Sequence, residues 1–246
     1  MNADHSAQLR LLDLQAADTS LAQLAHRRKT LPELAAVAER DQRLTALGND
    51  IVEVQTRIGD IAADQARLEG DVDSVWARAA RDEKRLLDGG LPSKELEGLQ
   101  HEITTLARRQ AALEDELLEV MEQREQGEGE LASLNSLRSD IEVERDAYVA
   151  ARDSAFLEID TAVGQRSAER SAIAAEIPGD LSALYERARE HSGGVGAAML
   201  RQRRCEGCHI ELSGSELNSV RTAAEDEVVR CDNCRRILVR TAESGL

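Results

Sequence analysis

Large aromatic side chains are nearly missing from this chain of 246 residues, which holds one Trp, one Phe and two Tyr. So few rings cannot fill the interior of an ordinary α/β enzyme domain of this length. Leu, Ile, Val and Phe supply only about 23 % of the residues, just above the level at which a highly charged chain stays disordered. No run of 18 apolar residues occurs, and Met1-Asn2-Ala3-Asp4-His5 carries neither a basic region nor an apolar stretch behind it. A membrane span and an export signal are therefore not expected, and a cytoplasmic location is. A basic surplus is lacking too: 31 Lys and Arg face 47 Asp and Glu, for a net charge of −16. That disfavours nonspecific polyanion binding by the molecule as a whole. A glycine-rich phosphate loop and a Ser/His/Asp grouping are also absent, so an enzyme is not expected.

What is abundant is Ala, Glu, Leu and Arg, which with Lys make up about half of the chain, the signature of long helices. Between Leu44 and Leu86 a ladder steps by three and four through Leu47, Ile51, Val54, Ile58, Ile61, Leu68, Val72, Val75 and Ala79, broken only at Gln65 and Asp82. A spacing of 3.5 residues held this long places one narrow stripe on a helix, which must be buried against another helix. An earlier ladder, Leu14, Ala17, Leu21, Leu24, Arg28, Leu31, runs into Pro32, where a kink or short break is expected. Asp88-Gly89-Gly90-Leu91-Pro92-Ser93 reads as a turn. A second ladder follows through Leu99, Ile103, Leu106, Leu113, Leu117 and Val120, and continues less regularly through Leu131, Leu134, Ile141, Tyr148 and Ile159. The expectation is a mainly α fold whose residues 1–177 form an antiparallel coiled-coil hairpin, with partner numbers adding to roughly 182. Gly127 and Gly129 each cost about 1 kcal/mol relative to Ala in a helix, and a bend is expected there.

Ile177-Pro178-Gly179 stops the second arm. Residues 178–194 then read as a short helix, capped by Asp180, and a hinge ending in Ser192-Gly193-Gly194. Residues 195–246 differ in kind. Eight Arg and eight acids balance there, so the preceding part carries all of the net charge. All four cysteines lie here, as Cys205-x-x-Cys208 and Cys231-x-x-Cys234 with 22 residues between the pairs. Each Cys-x-x-Cys turn brings two thiolates to one ion, and two turns complete a tetrahedron with no open position. One structural Zn²⁺ in a small α+β zinc ribbon is the expectation, although four thiolates alone also suit an iron–sulfur centre or another metal. His209 follows a ligand directly and reads as a surface or supporting residue, since the tetrahedron is already full. Strands are expected at Val195–Leu200, Val228–Arg230 and Ile237–Val239, with a helix capped by Ser213 and Glu216 in the intervening loop.

On these residues the chain resembles a bacterial family of C4-type zinc-ribbon proteins with an N-terminal coiled-coil hairpin, often labelled nucleic-acid-binding zinc ribbons. The likeness rests on the hairpin tip, from Lys94-Glu95-Leu96-Glu97-Gly98-Leu99 through Ile103. It rests also on Leu184-Tyr185-Glu186-Arg187 and on Cys231-Asp232-Asn233-Cys234-Arg235-Arg236-Ile237-Leu238. The resemblance implies a helical hairpin carrying a small ribbon, no enzymatic activity, and adaptor or chaperone-like binding of proteins and of RNA. The chain departs from the family where Gly usually follows the last cysteine, here Arg235, and lacks an aromatic residue near Val239. The position of Arg235 often takes a left-handed conformation, which Gly tolerates and Arg does not readily.

Two functional classes follow. A scaffold would hold partner proteins through the acidic hairpin, including its tip at Lys94 and Glu95, and through the ribbon. A nucleic-acid binder would contact phosphates with Arg201, Arg203, Arg204, Arg230, Arg235, Arg236 and Arg240, which bracket both knuckles. The ribbon has no Trp, Tyr or Phe to stack on bases, which favours the scaffold. Neither class calls for a small-molecule substrate.

Overall fold

A computed structural model describes residues 1–246 as α1 (His5–Lys29), α2 (Pro32–Asp88), α3 (Ser93–Ala175), α4 (Gly179–His191), β1 (Ala197–Arg201), β2 (Arg204–Cys205), α5 (Gly214–Thr222) and β3 (Ile237–Val239). The fold is mainly α, a long helical hairpin followed by a small strand region. No helix is long and apolar enough to cross a membrane. The chain forms two compact units, one of residues 35–148 and one of residues 1–34 with 149–246. The divisions expected at 177 and 194 both fall inside the second unit.

In the unit of residues 35–148, α2 and α3 meet along the ladder. Every ladder position from Leu44 to Leu86, Gln65 and Asp82 included, is buried or half-buried. Leu47, Ile51 and Ile141 form a buried cluster with Leu44, Leu131 and Leu134 beside it. Near the turn Arg78 pairs with Glu102, close to the expected register. Farther along, that register would set position 124 opposite Ile58, whereas the residue there is Gly127. The stripe of α3 keeps its three-four spacing through Arg124 and Gly127, two seam positions that a count of apolar residues passes over. Arg124 lays its stem on the seam and donates to Gln65 Oε1 on α2 at 3.3 Å. At Gly127 a Cβ would sit 3.0 Å from Ile58 Cγ1, so the glycine admits the opposing side chain. α3 continues as one helix through Gly127 and Gly129.

In the other unit α1 ends at Lys29, and Pro32 is the first residue of α2. There its missing N–H leaves no bond unmade. Asp180 sits in the first turn of α4 without capping it; Pro178 is the N-cap and no side chain bonds there. Leu11, Leu14, Leu181, Tyr185, Ile237 and Val239 are fully buried together. Burying an aliphatic side chain of that size is worth about 1.5–3 kcal/mol. The first residues join this core through the backbone. Ala3 N donates to Asp226 O at 2.7 Å and Val228 N to Met1 O at 3.0 Å.

The sheet has the order β2-β1-β3, with β1–β2 antiparallel and β1–β3 parallel. Val228–Arg230 is not a strand. It contributes an isolated bridge from Arg230 to Ile237, because the chain must leave the sheet at once to enter the second knuckle. The β1–β2 turn at Gln202 and Arg203 has φ of 45° and 68°. Those values suit the two-residue turn whose twist matches paired strands. The chain end steadies it, since Gln202 N donates to Glu243 O at 2.8 Å and Arg203 N to Ser244 O at 2.9 Å.

Candidate metal centre and the arginines around it

The β1–β2 hairpin delivers Cys205 and Cys208, and the segment before β3 delivers Cys231 and Cys234. The knuckles are backbone copies of each other. His209 N donates to Cys205 O at 2.7 Å and Arg235 N to Cys231 O at 2.8 Å. His209 and Arg235 both stand in the left-handed region, at φ of 60° and 63°. Arg235 therefore adopts the conformation that glycine would take there without cost. His209 is exposed and serves the turn by its backbone.

All four sulfurs lie within 4.8 Å of one another. Cys205 Sγ is 3.8 Å from Cys234 Sγ, and Cys208 Sγ is 3.8 Å from Cys231 Sγ. A tetrahedron with sulfurs about 2.3 Å from zinc has edges of about 3.8 Å. A disulfide would need about 2.05 Å. Donor set and spacing thus fit a closed zinc site. Without metal, burial pushes the Cys205 thiol up to about 12, against amide bonds from Cys208 and Gly207 and with help from the charges of Cys231 and Cys234. Burial also raises Cys231. Cys234 differs: burial raises it, but hydrogen bonding from Arg236, Cys231 and Cys208 outweighs that and brings it to about 7.

The structure separates the seven arginines. Arg236 donates Nε to Val195 O at 3.1 Å, Nη1 to Gly207 O at 2.9 Å and Nη2 to Ser192 O at 2.7 Å. It packs so closely that a Cβ on Gly207 would lie 2.6 Å from its Cδ. Arg240 closes the end of α5, donating to the carbonyls of Val220, Ala223, Ala224, Glu225 and Glu227. Arg203 and Arg230 each give Nε to a backbone carbonyl, of Gly245 and Arg235 respectively. Arg201 pairs with Glu243 at 2.9 Å. Arg204 and Arg235 are exposed, with no side-chain partner in the chain. At the hairpin tip Lys94 and Glu95 are exposed in the first turn of α3.

A polar cluster beside the hydrophobic core is not marked by any sequence spacing. The Tyr185 hydroxyl donates to Asp18 Oδ2 at 2.7 Å, and Arg170 holds the same carboxylate at 2.6 and 3.2 Å. Arg170 also reaches Glu186 at 2.5 Å, and Gly196 N donates to Gln15 Oε1 at 2.7 Å. Burial and the bond to Asp18 raise the Tyr185 hydroxyl above its ordinary range. Nothing local in the sequence marks Asp18 or Gln15, because the partners Arg170 and Gly196 lie more than 150 positions away. The motif Leu184-Tyr185-Glu186-Arg187 supplies two members and was the only available hint.

Hairpin and sulfur tetrahedron together define a coiled-coil hairpin protein with a C4 zinc ribbon. Residues 14–193 match the model of the CT398-like coiled coil hairpin domain, and residues 204–238 match the C4-type zinc ribbon domain. The chain belongs to this CT398-like hairpin family, and its cysteines are the ligands of one structural zinc ion. An uncharacterized protein of Mycobacterium tuberculosis strain H37Rv is 39 % identical over 244 residues, covering 98 % of both chains. A solved structure from Mycobacterium smegmatis is 37 % identical with a TM-score of 0.89, covering 98 % of this chain and 100 % of that one. The structure of CT398 from Chlamydia trachomatis, at 21 % identity, shares the fold with a TM-score of 0.72 over 96 % of this chain and 98 % of its own.

Proposed function

We propose that this protein is a non-enzymatic adaptor that holds partner proteins through its acidic hairpin and its ribbon. The observation that carries this reading is the employment of the ribbon arginines. A phosphate-binding face needs free guanidinium forks, yet Arg236 and Arg240 spend theirs on backbone carbonyls. The groove beside the hairpin turn of the ribbon, about 400 Å³, sets Arg201 and Arg204 against Glu206 and Glu211, so its charges are mixed. The metal centre fits the same reading, since four sulfurs leave no open coordination position for a substrate.

The test is capture from native lysate on immobilised full-length chain, with and without nuclease. A specific protein retained after nuclease treatment is expected. Recovery of nucleic acid, with loss of all bound protein on nuclease treatment, would overturn the reading in favour of nucleic-acid binding. In that case replacing Arg204 and Arg235 together by Ala would weaken binding and lower its salt dependence.

A further inference from the structure

On the outer side of α3, Leu118, Met121, Glu122 and Glu125 follow one another at the spacing of a single helical face. With Gln65 of α2 they line a groove of about 380 Å³. Leu118 is 58 % and Met121 45 % exposed, and they stand three residues apart on one face where the seam is already closed by Leu117 and Val120. Trp76, the chain's single Trp, is 61 % exposed and lies about three turns along α2 from Gln65 on the same face.

The charge around this groove is one-sided. Between Glu114 and Glu130 the chain places eight carboxylates and one base, Arg124. That arginine is already tied to Glu128 at 2.9 Å and to Gln65. On α2, Arg57 pairs with Glu130, and Arg67 with Asp64 and Asp71. Glu122 and Glu125, beside the apolar pair, have no cation partner.

We propose that this groove docks a basic amphipathic helix of a partner protein. Its apolar face would sit on Leu118 and Met121, and its Lys or Arg would face Glu122 and Glu125. An apolar anchor in a groove, ringed by charge opposite to that of its occupant, is the helix-in-groove mode of recognition. Methionine suits it because its unbranched side chain adapts to the incoming surface. A second copy of this chain fits worse, since the same carboxylates would meet across the contact. The proposal rests on the adaptor reading and names the partner chemistry at one of its surfaces.

The probe is a labelled synthetic helical peptide with Leu at the i, i+3, i+4, i+7 positions and Lys elsewhere, titrated with the full-length chain and followed by anisotropy and by Trp76 emission. Replacing Leu118 and Met121 together by Ser should weaken binding about tenfold or more. Both side chains are exposed, so helix content by circular dichroism should be unchanged. Glu122→Gln with Glu125→Gln should cost about threefold to tenfold, whereas Asp50→Asn with Glu53→Gln, which removes equal charge elsewhere on α2, should cost less than about twofold. Equal losses from the two charge pairs, or equal binding of a peptide with Ser in place of Leu, would overturn the proposal, because bulk charge would then suffice. Self-association in sedimentation that disappears with the Leu118 and Met121 replacements would overturn it in favour of a second copy. Lysate capture separates the two levels. If wild type and the Ser variant retain the same protein after nuclease, the groove is wrong and the adaptor stands. If neither retains any protein, the adaptor reading falls.

Discussion

Residues 35–148 are held by a seam about one side chain wide, whereas the unit of residues 1–34 and 149–246 buries whole side chains from both ends of the chain in one core. The first kind of structure is local, and each rung can be lost with little effect on the next. The second joins Ala3, Leu14, Tyr185 and Val239 and ties their fate to a metal centre through Ala198, Leu200 and Leu238, which pack with Cys205 and Cys231. Damage should therefore spread through the second unit and stay confined in the first.

The largest expected effect is loss of zinc. Cys231→Ser, or chelation, removes a contribution on the order of 10 kcal/mol to the folding of the ribbon. Hydrogen exchange should show lost protection in β1, β3 and the first half of α1, while residues 35–148 keep theirs. Equal loss in both units would break the contrast. Zinc uptake should also release protons. Cys205, held protonated up to about 12, must ionise, and Cys234, near 7, is only partly ionised at neutrality. Affinity should accordingly rise between about pH 6 and pH 8, by up to tenfold per unit for each proton released, when followed by competition with a chelator.

Asp18→Ala comes next. Its carboxylate side chain is 5 % exposed and receives both Arg170 and Tyr185. Removing it leaves the half-buried Arg170 guanidinium with Glu186 alone and the buried Tyr185 hydroxyl with only Gln15 Oε1, 3.1 Å away, for a loss of about 3 kcal/mol in denaturant unfolding. Exchange should rise around Gln15, Gly196 and α4, and not in residues 35–148.

These two losses also mark what could be read from the chain alone. The four ligands were legible because thiolate chemistry and tight turns fix the spacing of Cys-x-x-Cys, and the ladder because helical geometry repeats locally. The capping box of Ser213 and Glu216 is local in the same way, and both of its bonds are present. Asp18, Gln15 and the docking of Met1 to Ala3 on residues 226–228 were not legible, since nothing near them in sequence announces a partner so distant. Arg236 and Arg240 looked like a ligand-facing set for the same reason. Their targets are backbone carbonyls, which carry no residue signature. The register slip near Ile58 has another cause, because Arg124 and Gly127 hold seam positions that apolar counting skips.

A smaller effect sharpens the picture of the seam. Gly129 has nothing within 4 Å of a would-be Cβ, so Gly129→Ala should gain about 1 kcal/mol of helix stability. At Gly127 the new methyl would meet Ile58 at 3.0 Å, and the same gain should be cancelled or reversed by overpacking. Thermal unfolding of the two variants should differ in sign or nearly so. Equal gains would mean that the arms are not closely engaged at Ile58.

The smallest expected effect returns to the second knuckle. Arg235 holds φ at 63°, where a residue with a Cβ is strained by about 1–2 kcal/mol. Glycine would relieve that strain but adds about 0.4–1 kcal/mol of unfolded-chain entropy, so Arg235→Gly should stabilise the ribbon by only some 0.5 kcal/mol. The backbone bond from residue 235 to Cys231 O is retained in the variant, and zinc affinity should be unchanged. Because the Arg235 side chain has no partner within the chain, a loss of stability in Arg235→Gly would show that the guanidinium contributes through a contact absent from this structure. That would also bring Arg235 and Arg204 back as a pair for nucleic-acid binding, with the salt dependence of binding as the discriminating measurement.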